Sequence, residues 1–262
     1  MNQSERRMYL IKELLKEQPG YRDMEIPANA DAQRRLLRSL MNVRMAAPVD
    51  DGFLQIQDAY LQEENRKKGF VTLADMEELQ EDIYFWRGDI TRLAVGAIVN
   101  AANSGMTGCY QPCHNCIDNC IHTYAGMQLR SFCSEMMVEQ GYAEPTGQAK
   151  ITPAYNLPCQ YVIHTVGPIW YGGNDGEPEL LANAYRNSLQ CAVDHGIKTI
   201  AFPAISTGVY GYPIDKAAVV AVDTVKEFIR EHPGKIELVR FVLFSADVLA
   251  EYEKVTGERT IL

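Results

Sequence analysis

A chain of 262 residues, 47% apolar and 23% charged, has the makeup of a globular protein and is long enough to bury a full core. It contains no apolar run near the roughly 18 residues of a membrane span. The formal charge of −9 argues against a nucleic-acid partner, because no Lys/Arg stripe beyond EENRKKG offsets it.

The N-terminus, MNQSERRMYLIKELLKEQ, lacks a continuous apolar region and a small-residue cleavage site. Its Met8, Leu10, Ile11, Leu14 and Leu15 fall at helical spacing, so a helix is predicted rather than a targeting segment, and the chain is expected in the cytoplasm. Leu36, Leu37, Leu40 and Met41 form a second apolar stripe; APVDDG reads as a turn and FLQIQDAYLQEENRKKG as a third helix. Residues 1–80 thus read as a helical extension without clustered polar chemistry, suited to packing or partner choice.

From about Asp82 the texture changes. Five buried-strand runs (IYFWRGDI, VGAIVNAAN, YVIHTVGPIW, KTIAFPAIS, ELVRFVLFS) alternate with helical stretches, the first of them CIDNCIHTYAGMQLRSFCSEMM. Such alternation predicts an α/β domain over residues 81–262, three layers deep, with a largely parallel central sheet. Ligands of such sheets lie beyond the C-terminal strand ends, which directs attention to residues 88–91, 100–122 and 205–212.

The middle loop holds GCYQPCHNCIDNCIH, with four of the seven cysteines. An odd cysteine count in a reducing compartment favours metal ligands or buried thiols over disulfides. Cys133, Cys159 and Cys191 are isolated and read as buried hydrophobes. A helix from Ile117 would align Ile117, Cys120, Ile121 and Tyr124, turning Cys120 to the core. Cys109, Cys113, His114 and Cys116 remain. Adjacent residues 113 and 114 point apart in an extended loop, so His114 groups more easily with Cys109 and Cys116. Three ligands would leave an open position, whereas a closed four-ligand site would include Cys113. Asp118 falls in the first helical turn, where the helix dipole favours a carboxylate in any case.

In the third loop, AFPAISTGVYGYP, Gly208 and Gly211 permit backbone angles that let N–H groups converge on a phosphate. Asp89 suits a helix cap and Asn103 a turn. His164, in an apolar strand, reads as a hydrogen-bonded core residue, and His195 and His232 as helix ends.

In order and spacing, GDIT, AIVNAANS, PTGQAKIT, YVIHTVGP and PAISTGVYGYP resemble the macrodomain family of ADP-ribose binders over residues 82–262. The resemblance implies a macrodomain with a mixed, largely parallel sheet behind the helical extension. TGCYQPCHNCIDNCIH, in place of a short glycine-rich run, looks like the zinc-containing branch, in which Cys109, His114 and Cys116 would bind Zn²⁺. Members of that bacterial branch are typically encoded with sirtuin-type ADP-ribosyltransferases and remove the mark those enzymes place on a carrier-protein target. The resemblance therefore implies a zinc-dependent hydrolase of protein-linked mono-ADP-ribose, cleaving a glycosidic or ester bond. Asp89 and Ile90 would meet adenine, Asn103 the distal ribose, and Thr207, Gly208, Val209 and Tyr210 the diphosphate, with Ile117, Asp118 and Ser206 also in the ADP-ribose site. Asp118 would orient or activate water while zinc polarises a ribose oxygen or that water. Two rivals are a non-catalytic ADP-ribose reader with structural zinc and an O-acetyl-ADP-ribose deacetylase.

Overall fold

The computed structural model describes residues 1–72 and 83–257. The expected division at residue 80 lies outside the described residues. Among the described residues, three α-helices form the extension: α1 (Gln3–Glu17), α2 (Ala30–Val43) and α3 (Asp51–Lys68). Each begins on a side chain that satisfies otherwise unpaired helical N–H groups: Asn2 in a capping box with Glu5, then Asn29 and Asp50. The predicted stripes of α1 and α2 meet α3 in one apolar cluster that includes Leu14, Leu40 and Phe53.

A six-stranded sheet carries the rest: β1 (Ile83–Trp86), β2 (Ala97–Ala101), β3 (Ala149–Pro153), β4 (Tyr161–Thr165), β5 (Thr199–Pro203) and β6 (Leu238–Val242). Its order is β1-β6-β5-β2-β4-β3, parallel except for the antiparallel β3–β4 pair. Sequence reading gave five strands and missed β3. AKITP is a half-exposed edge strand that ends in proline, so it has no buried apolar run to announce it.

Alternation along β2 assigns the faces. Ala97 and Val99 point into the cluster with α6 (Glu177–Asp194), α7 (Ile214–Glu231) and α8 (Ala246–Thr256), whereas Ile98 points into the cluster with α4 (Ile117–Ala125) and α5 (Met127–Gln140). The helix expected to run unbroken from Cys116 is divided at Gly126, whose φ is 103°. A Cβ there would sit 2.8 Å from Gln57 Nε2 of α3, so the break is where the extension packs against the chain.

That packing is polar as well as apolar. Gln57 accepts the Met127 N–H at 3.0 Å, and Asn65 donates to the carbonyls of Tyr124 (3.1 Å) and Asn156 (2.8 Å). Met127 itself enters the extension's apolar cluster.

Leu14 is 2% exposed, so Leu14→Ala should lower the unfolding free energy by about 2–5 kcal/mol. Both tryptophans, Trp86 and Trp170, lie outside the extension. If the extension folds cooperatively with the sheet, urea titrations followed by tryptophan fluorescence and by circular dichroism will shift together in this variant. A fluorescence midpoint unmoved by the substitution would show two independent units.

Candidate active site

The next-to-last residue of β2 is buried and polar, and the site grows from it. Asn100 is fully buried and its amide donates to Asp118 Oδ1 at 2.8 Å. Asn103, in the turn that follows, donates to Asp118 Oδ2 at 3.2 Å and to the Gly108 carbonyl at 3.1 Å. Both carboxylate oxygens are therefore held. Burial pushes the Asp118 carboxyl up to about 6, against the downward pull of Asn100, the Arg130 charge and Asn103.

Behind Asp118 lie two neutral histidines. The Asn100 amide must donate to Asp118, so the His164 Nδ1 3.1 Å away acts as acceptor, and its Nε2–H faces Thr152 Oγ1 at 3.0 Å. His164 is the hydrogen-bonded core histidine expected, and burial lowers it to about 3. His122, one turn along α4 from Asp118, has Nε2 3.6 Å from Oδ1 and is likewise held well below its ordinary pKa, first by burial. It borders a cavity of about 10 Å³ shared with Asn42, Arg44, Thr123 and Arg130, room for about one water.

Ahead of α4, the ligand atoms of Cys109, His114 and Cys116 lie within 4.8 Å of one another, with Cys109 Sγ 3.7 Å from His114 Nδ1. Cys113 is turned away: its Sγ lies 3.2 Å from Ser39 Oγ and 3.4 Å from the Arg35 carbonyl, both on α2. All seven cysteines are free. Cys120 is also apart from this group, but not for the reason expected. It is half-buried and lies 3.5 Å from Arg38 Nη2, facing the extension instead of the core. Cys191 is half-buried as well, beside His195, while Cys133 and Cys159 are buried as expected. A second grouping of ligand atoms, His122, Cys133 and His164, is wholly buried.

The loop after β5 carries Tyr210, whose hydroxyl is raised by burial and then by the charge of Asp118. Ser206 has φ 67° and Gly211 φ 66°. The left-handed turn therefore begins on Ser206, and Gly208 is not in that region, contrary to expectation. A Cβ on Gly208 would meet nothing within 4 Å, and Val209 projects into solvent at 82% exposure. Trp170, after β4, donates its N–H to the Tyr210 carbonyl at 2.9 Å. Ile117 is half-buried at the start of α4, and Thr207 bonds back to the Ala204 carbonyl at 2.9 Å.

Asp89 caps the 3₁₀ turn Ile90–Arg92, accepting from the Thr91 N–H (2.9 Å) and hydroxyl (2.6 Å). Its other oxygen faces Lys68 Nζ of α3 at 3.4 Å. Burial alone would raise Asp89, but Thr91 and Lys68 outweigh it and the net shift is downward. Ile90 is buried beneath.

Two members of this arrangement escaped sequence reading. Asn100 breaks an otherwise apolar strand, and His122 follows Asp118 by four residues on the same helix face; those are the signals each carried.

The matched family model is the Macro domain, over residues 99–221. The protein-ADP-ribose hydrolase of Treponema medium is 54% identical over 259 residues, covering 97% of this chain and 99% of its own. That of Staphylococcus aureus is 42% identical over 243 residues, covering 92% and 91%. The chain belongs to the macrodomain family. Among solved macrodomains, that of Oceanobacillus iheyensis with ADP superposes with a TM-score of 0.63 at 40% identity, covering 70% of this chain and 94% of its own. That of Trypanosoma brucei in complex with ADP-ribose gives 0.66 at 29% identity, covering 84% and 95%.

In this macrodomain the loop after β4 is pinned by Glu177, which accepts N–H groups from Tyr171 (3.0 Å), Gly173 (3.0 Å) and Asp175 (2.7 Å). Backbone hydrogen bonds hold its carboxyl near 2, below the ordinary 4.5. The ionised form is favoured by folding, so this contribution is complete above pH 4.5 and disappears as pH falls through 2. Glu177→Gln should be less stable than wild type at pH 6, with the difference shrinking between pH 4.5 and 2. Melting curves across that range check it; a pH-independent difference would assign the effect to packing.

Proposed function

We propose that the protein is a hydrolase releasing mono-ADP-ribose from modified side chains of other proteins, with zinc held by Cys109, His114 and Cys116. The observation that carries this reading is Asp118, a buried carboxylate fixed at both oxygens, two residues after Cys116, the last of three clustered soft donors. The names of the Treponema and Staphylococcus relatives and the bound ADP-ribose of the Trypanosoma macrodomain support it.

The donor set suits zinc. Two thiols and an imidazole stand within 4.8 Å of one another, and burial raises the Cys116 thiol to about 12, so a thiolate there calls for a cation beside it. When bound to three protein ligands, zinc supplies a Lewis acid with a free position for an oxygen.

The remaining chemistry falls to the chain. Asp89 and Ile90 receive adenine, Asn103 and Ile117 the distal ribose, and residues 206–210 the diphosphate through backbone N–H groups, which add no charge. Asp118 orients a water and takes its proton as the water oxygen bonds the anomeric carbon and the bond to the protein side chain breaks. The departing side chain receives the proton. Hydrolysis of an ester at the same ribose would use the same carboxylate. A sirtuin-type transferase acting on a carrier protein would supply the substrate, and a cytoplasmic setting suits seven free thiols.

Zinc-loaded protein incubated with targets ADP-ribosylated on carboxylates, arginine or serine, and with O-acetyl-ADP-ribose, tests the reaction. Retention of every label with ADP-ribose bound would identify a reader. Turnover of the acetyl compound alone would identify a deacetylase.

Two variants test the assignments. Asp118→Ala should slow single-turnover release by about 10²–10⁴ while ADP-ribose affinity and zinc content stay near wild type. An active variant removes Asp118 from the chemistry. The Cβ of Gly208→Val meets nothing within 4 Å and the position requires no left-handed backbone, so the variant should fold normally yet bind ADP-ribose roughly tenfold or more weakly, about 1.4 kcal/mol. Unchanged affinity in calorimetry would take this loop out of the site.

A further inference from the structure

We infer that helix α2 of the extension positions the loop carrying Cys109, His114 and Cys116, with Arg38 as the positioning residue. The contacts stand by themselves; their consequence for metal affinity rests on the zinc reading proposed above.

Arg38 Nη2 donates to the His114 carbonyl at 2.7 Å and to Asn119 Oδ1 at 2.9 Å. Asn119, fully buried, transmits the constraint: its amide donates to the carbonyls of Cys109 (3.2 Å) and Gln111 (2.9 Å), and its backbone N–H points to Cys116 Sγ at 3.4 Å. Each of the three donor residues is thus tied to Arg38 directly or through Asn119.

Neighbouring residues of α2 act on the fourth thiol. Asn42 accepts the Cys113 N–H at 2.9 Å, while Ser39 and the Arg35 carbonyl hold the Cys113 Sγ. Cys113 sits at φ 51°, a left-handed conformation uncommon for a residue with a Cβ, so these contacts keep the loop in a shape it would not favour alone. Residues 35, 38, 39 and 42 follow the i, i+3, i+4, i+7 pattern of one helical face. The neighbouring face, with Leu37, Leu40 and Met41, is buried among α1 and α3. One helix therefore presents an apolar side to its own bundle and a polar side to the ligand loop.

Partners that orient metal ligands typically contribute roughly 10–100-fold to metal affinity. The test uses the full-length chain and competition for zinc with a chromogenic chelator. Arg38→Met keeps an unbranched apolar stem but not the donors, and should weaken zinc by roughly 10–100-fold while calorimetric ADP-ribose affinity stays near wild type. Arg38→Lys, which can still donate to both acceptors, should recover part of the loss. Zinc affinity in folded Arg38→Met within twofold of wild type overturns the inference, even if its melting temperature falls. Should Arg38→Met fail to fold, Arg38→Gln, too short to span both acceptors, makes the same comparison.

If the wild type takes up no zinc, the metal reading fails by itself, and amide exchange in the metal-free protein decides the positioning. Faster exchange of residues 109–119 in Arg38→Met supports it. Equal protection overturns it.

Discussion

A carboxylate buried at the end of a parallel strand is the constraint around which this molecule is arranged. Asp118 is 5% exposed, and a charge so removed from water is costly unless hydrogen bonds and opposite charge replace its solvation. Asn100 must therefore stand near the end of β2, Asn103 must follow in a turn, and the loop after it must return closely enough for Asn103 to reach both the Gly108 carbonyl and the carboxylate. That return demands glycine: residue 108 has φ 84°, and a Cβ would lie 2.7 Å from the His122 ring. His122 and His164, kept neutral by burial, let the carboxylate sit beside two imidazoles without being neutralised by them.

The chain's charge of −9 raises the question of how such a surface would accept a diphosphate. Cationic side chains are poor candidates here, because Lys68 is committed to Asp89 and lies 2.9 Å from the Tyr124 ring centroid, and Lys216 lies over Trp170. Backbone N–H groups avoid the difficulty, since a nest contributes partial charge without altering net charge. In the loop after β5, proposed above for that role, the left-handed residue Ser206 and the hydrogen bond from the Trp170 backbone N–H to the Tyr210 carbonyl fix the local shape.

How much of this could be read in the sequence follows from what kind of interaction fixed each feature. Burial of apolar stripes and strand runs is periodic, so α1, α2, α3 and five of six strands were legible, and β3, with its half-exposed edge, was not. Residue type and adjacency favoured grouping Cys109, His114 and Cys116 but left Cys113 as an alternative ligand, and it was the resemblance that selected the three. Cys120 was misassigned because helical periodicity says which residues share a face but not what covers that face; α2 does, with Arg38. The polar side of α2 was invisible for the same reason. Its partners lie 71 to 82 residues away, and their meeting depends on docking rather than on local pattern.

The extension's place in the molecule can be argued from what a macrodomain does without. The Oceanobacillus macrodomain with ADP is covered over 94% of its length yet covers only 70% of this chain, a shortfall about as long as the extension. That macrodomain is seen with ADP at its shorter length, and this chain has the three helices of the extension besides. What they add is found where they touch: Arg38, Ser39 and Asn42 on the cysteine-rich loop, and Lys68 on Asp89. The polar face of α2 thus holds the cysteine-rich loop from outside the sheet, by contacts that no local sequence pattern around residues 109–119 supplies.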